Sequence, residues 1–349
     1  MTDLLTTACP TPLGQYDRIV LGHGSGGRLT ADLVHRVFLP AFGNEVLAAL
    51  EDQATVPVEG ARLAFTTDAF VVRPIFFPGG DIGRLAVHGT VNDLAVGGAQ
   101  PRFLAAAFIL EEGLALADLA RVVESMRQAC AEAGVVLVTG DTKVVDRGKG
   151  DQIFITTTGI GIAPADRVLS IAAARTGDRV LVSGTIGDHG IAIMSVREGL
   201  EFETALESDS ACLTDLVRVV LDASARVRCM RDPTRGGLAS VLNEVATASR
   251  IGVTIDERAV PIRPEVASAC EVLGLDPLYV ASEGKLVAVV APDDAERVLG
   301  AMRKHPLGER AAVIGEVVAE HPGMVTQRSR IGGERIVTLL AGEQLPRIC

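Results

Sequence analysis

Leu85-Ala86-Val87-His88-Gly89-Thr90-Val91-Asn92-Asp93-Leu94-Ala95-Val96 is an apolar segment with a carboxamide and a carboxylate near its end. Asp81 to Gly97 reads as one helix, and its apolar character places it inside a domain rather than on a surface. A carboxylate on a buried helix is costly unless it is paired or bound to a cation. Asp93, apolar on both flanks, is therefore a candidate metal ligand.

Strand-like stretches lie on both sides of this helix. Arg62 to Val72 and Arg102 to Leu110 are rich in β-formers, and Val135 to Thr139 and Gln152 to Ile162 follow. Ala117 to Ala133 has helical spacing, with Leu119, Val122, Val123, Met126 and Ala129 on one face and Gly134 as a stop signal. Ala163 to Gly177 carries Pro, Asp and Gly and reads as a connector. The alternation then restarts. Arg179 to Ser183, Gly252 to Asp256 and Lys285 to Val290 read as strands, and Leu213 to Ala223, Gly237 to Ala248 and Asp293 to Lys304 as helices. This pattern predicts two α+β domains, 15–165 and 175–335, followed by a tail, 341–349.

Composition agrees with such a protein and excludes several classes. At 349 residues each half can bury its own core. Hydrophobic residues make up 48% and aromatics 3%, so that core rests on Ala, Val, Leu and Ile. A net charge of -11 with no basic run argues against binding nucleic acid or an anionic membrane. The start, Met1 to Gly14, lacks a signal-peptide pattern, and Phe103 to Leu110, the longest apolar run, is too short to span a bilayer. Cys9, Cys130, Cys212, Cys229, Cys270 and Cys349 form no C-x-x-C pair, which suits free thiols in a reducing cytoplasm.

Five further places interrupt apolar runs with polar residues. Gly22-His23-Gly24-Ser25-Gly26-Gly27 could bring backbone N–H groups to a phosphate, or be a flexible loop. Asp52 precedes Gln53-Ala54-Thr55-Val56, and Asp68 ends Leu63-Ala64-Phe65-Thr66-Thr67. Either suits a Mg2+ that bridges phosphates, or a cap or salt bridge. Val138 to Val145 runs through Gly140-Asp141-Thr142-Lys143, read as a turn that places Thr142 and Lys143 near a phosphate, or as an ordinary hairpin; it is not a Walker A sequence. Asp232, in Met230-Arg231-Asp232-Pro233-Thr234-Arg235-Gly236-Gly237-Leu238, stands at a helix entrance that favours anions, or is a simple cap. Ser282-Glu283-Gly284-Lys285 starts a strand and in isolation is a turn. The sequence ends in Leu345-Pro346-Arg347-Ile348-Cys349, a thiol with an apolar grip at Leu345 and Ile348 and a hinge at Gly342.

Together, His23 to Gly27, Phe77-Pro78-Gly79-Gly80-Asp81-Ile82-Gly83, Gly89-Thr90-Val91-Asn92-Asp93-Leu94-Ala95, Gly140-Asp141-Thr142-Lys143-Val144-Val145, Met230 to Gly237 and Pro346-Arg347-Ile348-Cys349 resemble the HypE family of hydrogenase maturation factors. That family lies within the superfamily of aminoimidazole ribonucleotide synthetase, selenophosphate synthetase and thiamine-monophosphate kinase. The resemblance implies a two-domain fold of the aminoimidazole-ribonucleotide-synthetase type, N-terminal strands that pair in a homodimer, and a flexible tail.

The resemblance also implies the chemistry. A HypF-like carbamoyltransferase loads a carbamoyl group onto Cys349, ATP drives its dehydration to a thiocyanate, and a HypC–HypD complex receives the cyanide for the iron of [NiFe]-hydrogenase. Asp52, Asp68, Asp93 and Asp232 match the metal-binding aspartates, for Mg2+. Gly24, Ser25, Gly26, Gly27, Thr67, Asn92, Gly140, Asp141, Thr142 and Lys143 are the nucleotide-binding candidates. Lys143 is expected to stabilise the transferred phosphoryl group, and Glu283 to take the nitrogen protons. Residues 341–349 could reach roughly 30 Å when extended, enough to serve a partner and the ATP in turn. A small-molecule kinase of the same fold would not need the terminal thiol, and a passive carrier would not need the aspartates.

Overall fold

The computed structural model describes residues 18–199, 206–340, 342, 345 and 347–349. Two short helices, α1 (Arg28–Leu33) and α2 (Leu39–Phe42), flank a π turn at Val34–Phe38. Next come β1 (Ala54–Val58), β2 (Ala61–Phe70), the two-residue strands β3 (Phe76–Phe77) and β4 (Gly80–Asp81), and α3 (Ile82–Val96). Then follow β5 (Gln100–Glu111), α4 (Leu116–Ala133), β6 (Val136–Val145) and β7 (Ile153–Ile162). Asp81 caps α3 by accepting from the N–H groups of Gly83 and Arg84. Gly134 ends α4 in the left-handed region, at φ 67°.

Among the described residues these strands form a sheet ordered β1-β2-β7-β5-β6, antiparallel except for the β5–β6 pair. Ala64, Thr66 and Phe70 of β2 and Ile153, Ile155 and Thr157 of β7 point to the face that α3 covers. α3 is buried nearly all round. Val123, expected on the buried face of α4, is 48% exposed; Val122, Met126, Ala129 and Cys130 are buried instead. The opposite face of the sheet and its edge strand β6 are open, and they expose Phe65, Phe103, Ile109, Val136, Val138 and Val144.

Residues 140–143 are not a turn. They continue β6 without a break, with Gly140 opposite Ala106 of β5. A Cβ at Gly140 would stand 2.4 Å from the Ala106 carbonyl oxygen, so a strand this close requires glycine.

After the connector come β8 (Arg179–Val182), α5 (Asp188–Glu198), α6 (Thr214–Ala223), β9 (Val227–Arg231), α7 (Gly237–Ser249), β10 (Gly252–Asp256) and α8 (Pro264–Leu273). β11 (Val287–Val290), α9 (Pro292–Met302), β12 (Ala312–Val318), β13 (Val325–Arg328) and β14 (Glu334–Val337) complete the chain. They build a mixed sheet ordered β14-β13-β10-β12-β8-β11-β9. α3, α5 and α8 share one apolar cluster, so the two sheets meet over a common core.

Leu345 and Ile348 belong to that core. Ile348 makes an antiparallel bridge with Val72, flanked by Val71 N–H donating to the Cys349 carbonyl at 3.0 Å and Arg73 N–H donating to the Arg347 carbonyl at 3.1 Å. The expectation of a flexible tail falls in part on 341, 343, 344 and 346, outside the described residues. The last three residues are docked inward.

Candidate active site

The metal expectation rests on four aspartates far apart in sequence, and the fold gathers them. Asp52 precedes β1, Asp68 is on β2, Asp93 is on α3, and Asp232 follows β9. One carboxylate oxygen each from Asp52, Asp93 and Asp232 lie within 4.8 Å of one another. Asp68 is beside Asp93 and shares a hydrogen bond with it. Thr66 Oγ1 lies 2.9 Å from Asp93 Oδ2 and fixes it from the same strand.

Burial pushes all four carboxyls up, Asp232 to about 7. For Asp93 the next causes are Asp68, Asp232 and Asp52 themselves. Such a cluster must hold protons or a cation. Hard oxygen donors from separate segments around one point are the set Mg2+ takes, so these residues fit that ion. Asp232 is not a cap, because α7 starts after Gly236.

Arg231 was not foreseen. Its guanidinium is buried and lies 3.0 Å from Asp52, 2.5 Å from Glu244 and 4.0 Å from Glu51. It anchors the acidic cluster from the side of the second sheet. The sequence signal was a basic residue directly beside Asp232 at the end of an apolar strand.

Cys349 lines the same small pocket as Asp68, Asp93, Asp232, Arg235 and Glu283. The Glu283 carboxyl faces its thiol across that pocket. Burial first, and Glu283 second, push the Cys349 thiol up, against the pull of Arg235. The net shift is upward. Burial, with Asp232 and Asp209 next, pushes Glu283 up as well. The loop that carries Glu283 is pinned where its N–H donates to Asp209 at 2.9 Å, and Asp209 pairs with Lys285 at 3.1 Å.

The nucleotide-binding candidates divide. Gly24 and Ser25 line a cavity of about 330 Å³ with Arg235 and Cys349. Arg235 donates to the Gly24 carbonyl at 3.1 Å, and a Cβ at Gly26 would meet the Arg235 backbone at 2.8 Å. Gly27 is equally close to Leu340. A second cavity, of about 270 Å³, opens beside Asp52 between Thr55, Arg62, Val96 and Met230.

Asn92 is used otherwise. Its amide donates to the carbonyls of Ala211 and Glu283 and accepts from Leu213 N–H, so it staples α3 to the second sheet. Thr67 faces the opposite side of β2 from Asp68 and bonds to Thr158. Gly140, Asp141, Thr142 and Lys143 lie on the edge strand. Gly140 shares a register row with Asp68 but is three strands away, roughly 14 Å. Lys143 is exposed and pairs with Asp141 at 3.2 Å. Within one chain the structure does not bring these residues to the aspartates.

Family models and known proteins match the chain over both domains. The model for the N-terminal domain of AIR synthase related proteins matches residues 50–163, and the model for their C-terminal domain matches residues 175–326. Carbamoyl dehydratase HypE of Cupriavidus necator is 58% identical over 333 residues, 95% of each chain. The chain belongs to the HypE family. Its place in the cell is hydrogenase maturation, and its class is that of ATP-dependent carbamoyl dehydratases.

A HypE solved in complex with HypF superposes with a TM-score of 0.84 at 48% identity, covering 88% of this chain and 99% of that one. A HypE solved in complex with ATP gives 0.80 at 49%, covering 95% and 100%. The two-domain α+β fold is that of these HypE structures. No helix among the described residues is long and apolar enough to cross a membrane.

Proposed function

We propose that this chain converts a carbamoyl group on the Cys349 sulfur to a cyano group at the expense of ATP. The observation that carries the reading is the inward seat of Cys349, with its thiol against Glu283 and in one pocket with Asp68, Asp93 and Asp232. Among the described residues no other cysteine lines that pocket.

A carbamoyl oxygen is a poor leaving group and must first become a phosphate ester. Its oxygen attacks the γ-phosphorus, and ADP leaves. A base removes the nitrogen protons, the C–O bond breaks, phosphate departs and the nitrile remains on sulfur. Asp52, Asp93 and Asp232, with Asp68 beside them, would hold Mg2+ against the phosphates, where it neutralises the charge of phosphoryl transfer. Glu283, raised by burial and lining one pocket with Cys349, is the group placed to accept a nitrogen proton. Arg235 lies between the glycine-rich loop and Cys349 and steadies negative charge there. Gly24 to Gly27 border the adjoining cavity and present backbone to the nucleotide.

The open apolar face of the first sheet supports a homodimer, since an exposed edge strand with Val136, Val138 and Val144 invites pairing. In such a dimer Lys143, with Gly140, Asp141 and Thr142, serves the site of the other copy. The relative solved with HypF supports a HypF-like carbamoyl donor, and the cyanide passes on to a HypC–HypD complex in the cytoplasm.

Mass spectrometry of the C-terminal peptide tests the reaction. Carbamoylated protein with Mg-ATP should lose one water from Cys349. An adduct that persists while ATP is hydrolysed or bound would sink it.

A further inference from the structure

The segment Phe77 to Gly83 was singled out in the sequence but has no part in the chemistry above. It packs against His189 and Ser208. In an antiparallel bridge successive carbonyls point to opposite edges. Those of Arg347 and Cys349 accept from Arg73 and Val71, so the Ile348 carbonyl faces the other way, into protein. There His189, fully buried at the start of α5, puts Nε2 at 2.6 Å from it.

The protonation pattern follows from the partners. A carbonyl only accepts, so Nε2 carries the hydrogen. Burial pushes the ring's pKa down, so His189 is neutral and Nδ1 accepts. Its partner is Ser208 Oγ at 2.8 Å, and that oxygen also accepts from Ser210 N–H at 3.1 Å. Ser208 is itself held by its N–H, which donates to the Pro78 carbonyl at 2.8 Å. Gly79 has φ +86°, and a Cβ there would stand 2.8 Å from Ser208 N and O. Phe77 meets the imidazole edge-on, with ring centres 5.5 Å apart at 87°.

We propose that His189, oriented by Ser208 and the Phe77–Gly79 turn, is the positioning residue that latches the tail and seats Cys349 in the pocket. It touches neither thiol nor nucleotide and acts through the Ile348 carbonyl. Removing the N–H leaves that carbonyl buried without its donor, so the tail shifts outward by about tenfold. This rests on the proposed reaction only for its consequence; the latch itself is read from tail position.

The test is alkylation of the intact protein by iodoacetamide, followed peptide by peptide. His189→Ala should speed labelling of Cys349 about tenfold, leave Cys229 and Cys270 unchanged, and slow water loss from the carbamoylated tail. His189→Gln, which keeps an N–H donor at this reach, should restore slow labelling. Ser208→Ala, at a partly exposed site, should give an intermediate rate and carries the test if His189→Ala does not fold. Wild-type labelling rates in both folded Ala variants would overturn the latch. Absence of water loss in the wild type, with labelling still responsive to His189, would sink the dehydration reading and leave the latch standing.

Discussion

Arg231 Nε lies 3.0 Å from Asp52 Oδ2, and this single pair ties the acidic cluster of the first sheet to the last strand of the second. The guanidinium also meets Glu244 and Glu51. It is the cation that offsets the burial of Asp52 and Asp232 before any metal binds, as Arg235 does for Asp68.

Replacing Arg231 with Leu should therefore destabilise the metal-free protein by about 3–5 kcal/mol, the cost of leaving buried carboxylates unpaired. Thermal melting measures it, and Mg2+ should recover part of the loss. An unchanged melting temperature would show that the carboxyls are neutral without help.

Asp93→Asn replaces a carboxyl whose burial already disfavours its charged form in the metal-free state. Stability should hardly change. Mg-ATP turnover should fall by about two orders of magnitude or more, because a donor that cannot ionise binds the cation poorly. Full activity in this variant would contradict the metal role.

Glu283→Gln should let the partner carbamoylate Cys349 but trap the adduct with its oxygen in place. The readout is the mass of the tail peptide after incubation with Mg-ATP. Normal water loss would assign the base elsewhere.

Lys143→Ala and Asp93→Asn chains, each inactive alone, should regain activity when refolded together if Lys143 serves the neighbouring copy. The exposed lysine on the edge strand β6 motivates this. Mixtures as inactive as their parents would return the search for the phosphoryl-binding cation to Arg235.

The pH dependence of the tail has a definite sign. Inward docking raises the Cys349 thiol above its ordinary value of 9.0, chiefly by burial. Docking is thus fully favoured below about pH 9 and is lost as pH rises above it, because only the released tail can ionise. Alkylation of Cys349 should climb more steeply above pH 9 than that of the free tail peptide. Parallel profiles would mean the thiol is not buried in solution.

Much of the fold was legible. α3 and α4 end within a residue or so of the positions their apolar spacing and the glycines after them indicate, since capping and periodicity are local properties. The later part of β6 was not, because Gly, Asp and Lys are poor strand formers and only pairing with β5 makes 140–143 extended. Asn92 was expected at the nucleotide from the family resemblance. One helical step turns its side chain toward Ala211 and Leu213 instead, a direction set by packing between the two sheets.

The order of residues alone determined that carboxylates stand at the ends or centres of apolar segments, and that the last side chain is a thiol behind an apolar grip. Those are statements about composition and period. Only the folded chain decided which carboxylates meet, that Arg231 and Arg235 stand among them, that His189 meets the tail, and that Lys143 does not reach them within one copy. Convergence of residues as distant in sequence as Asp68 and Cys349 depends on how sheets and helices pack, and no local pattern encodes that distance.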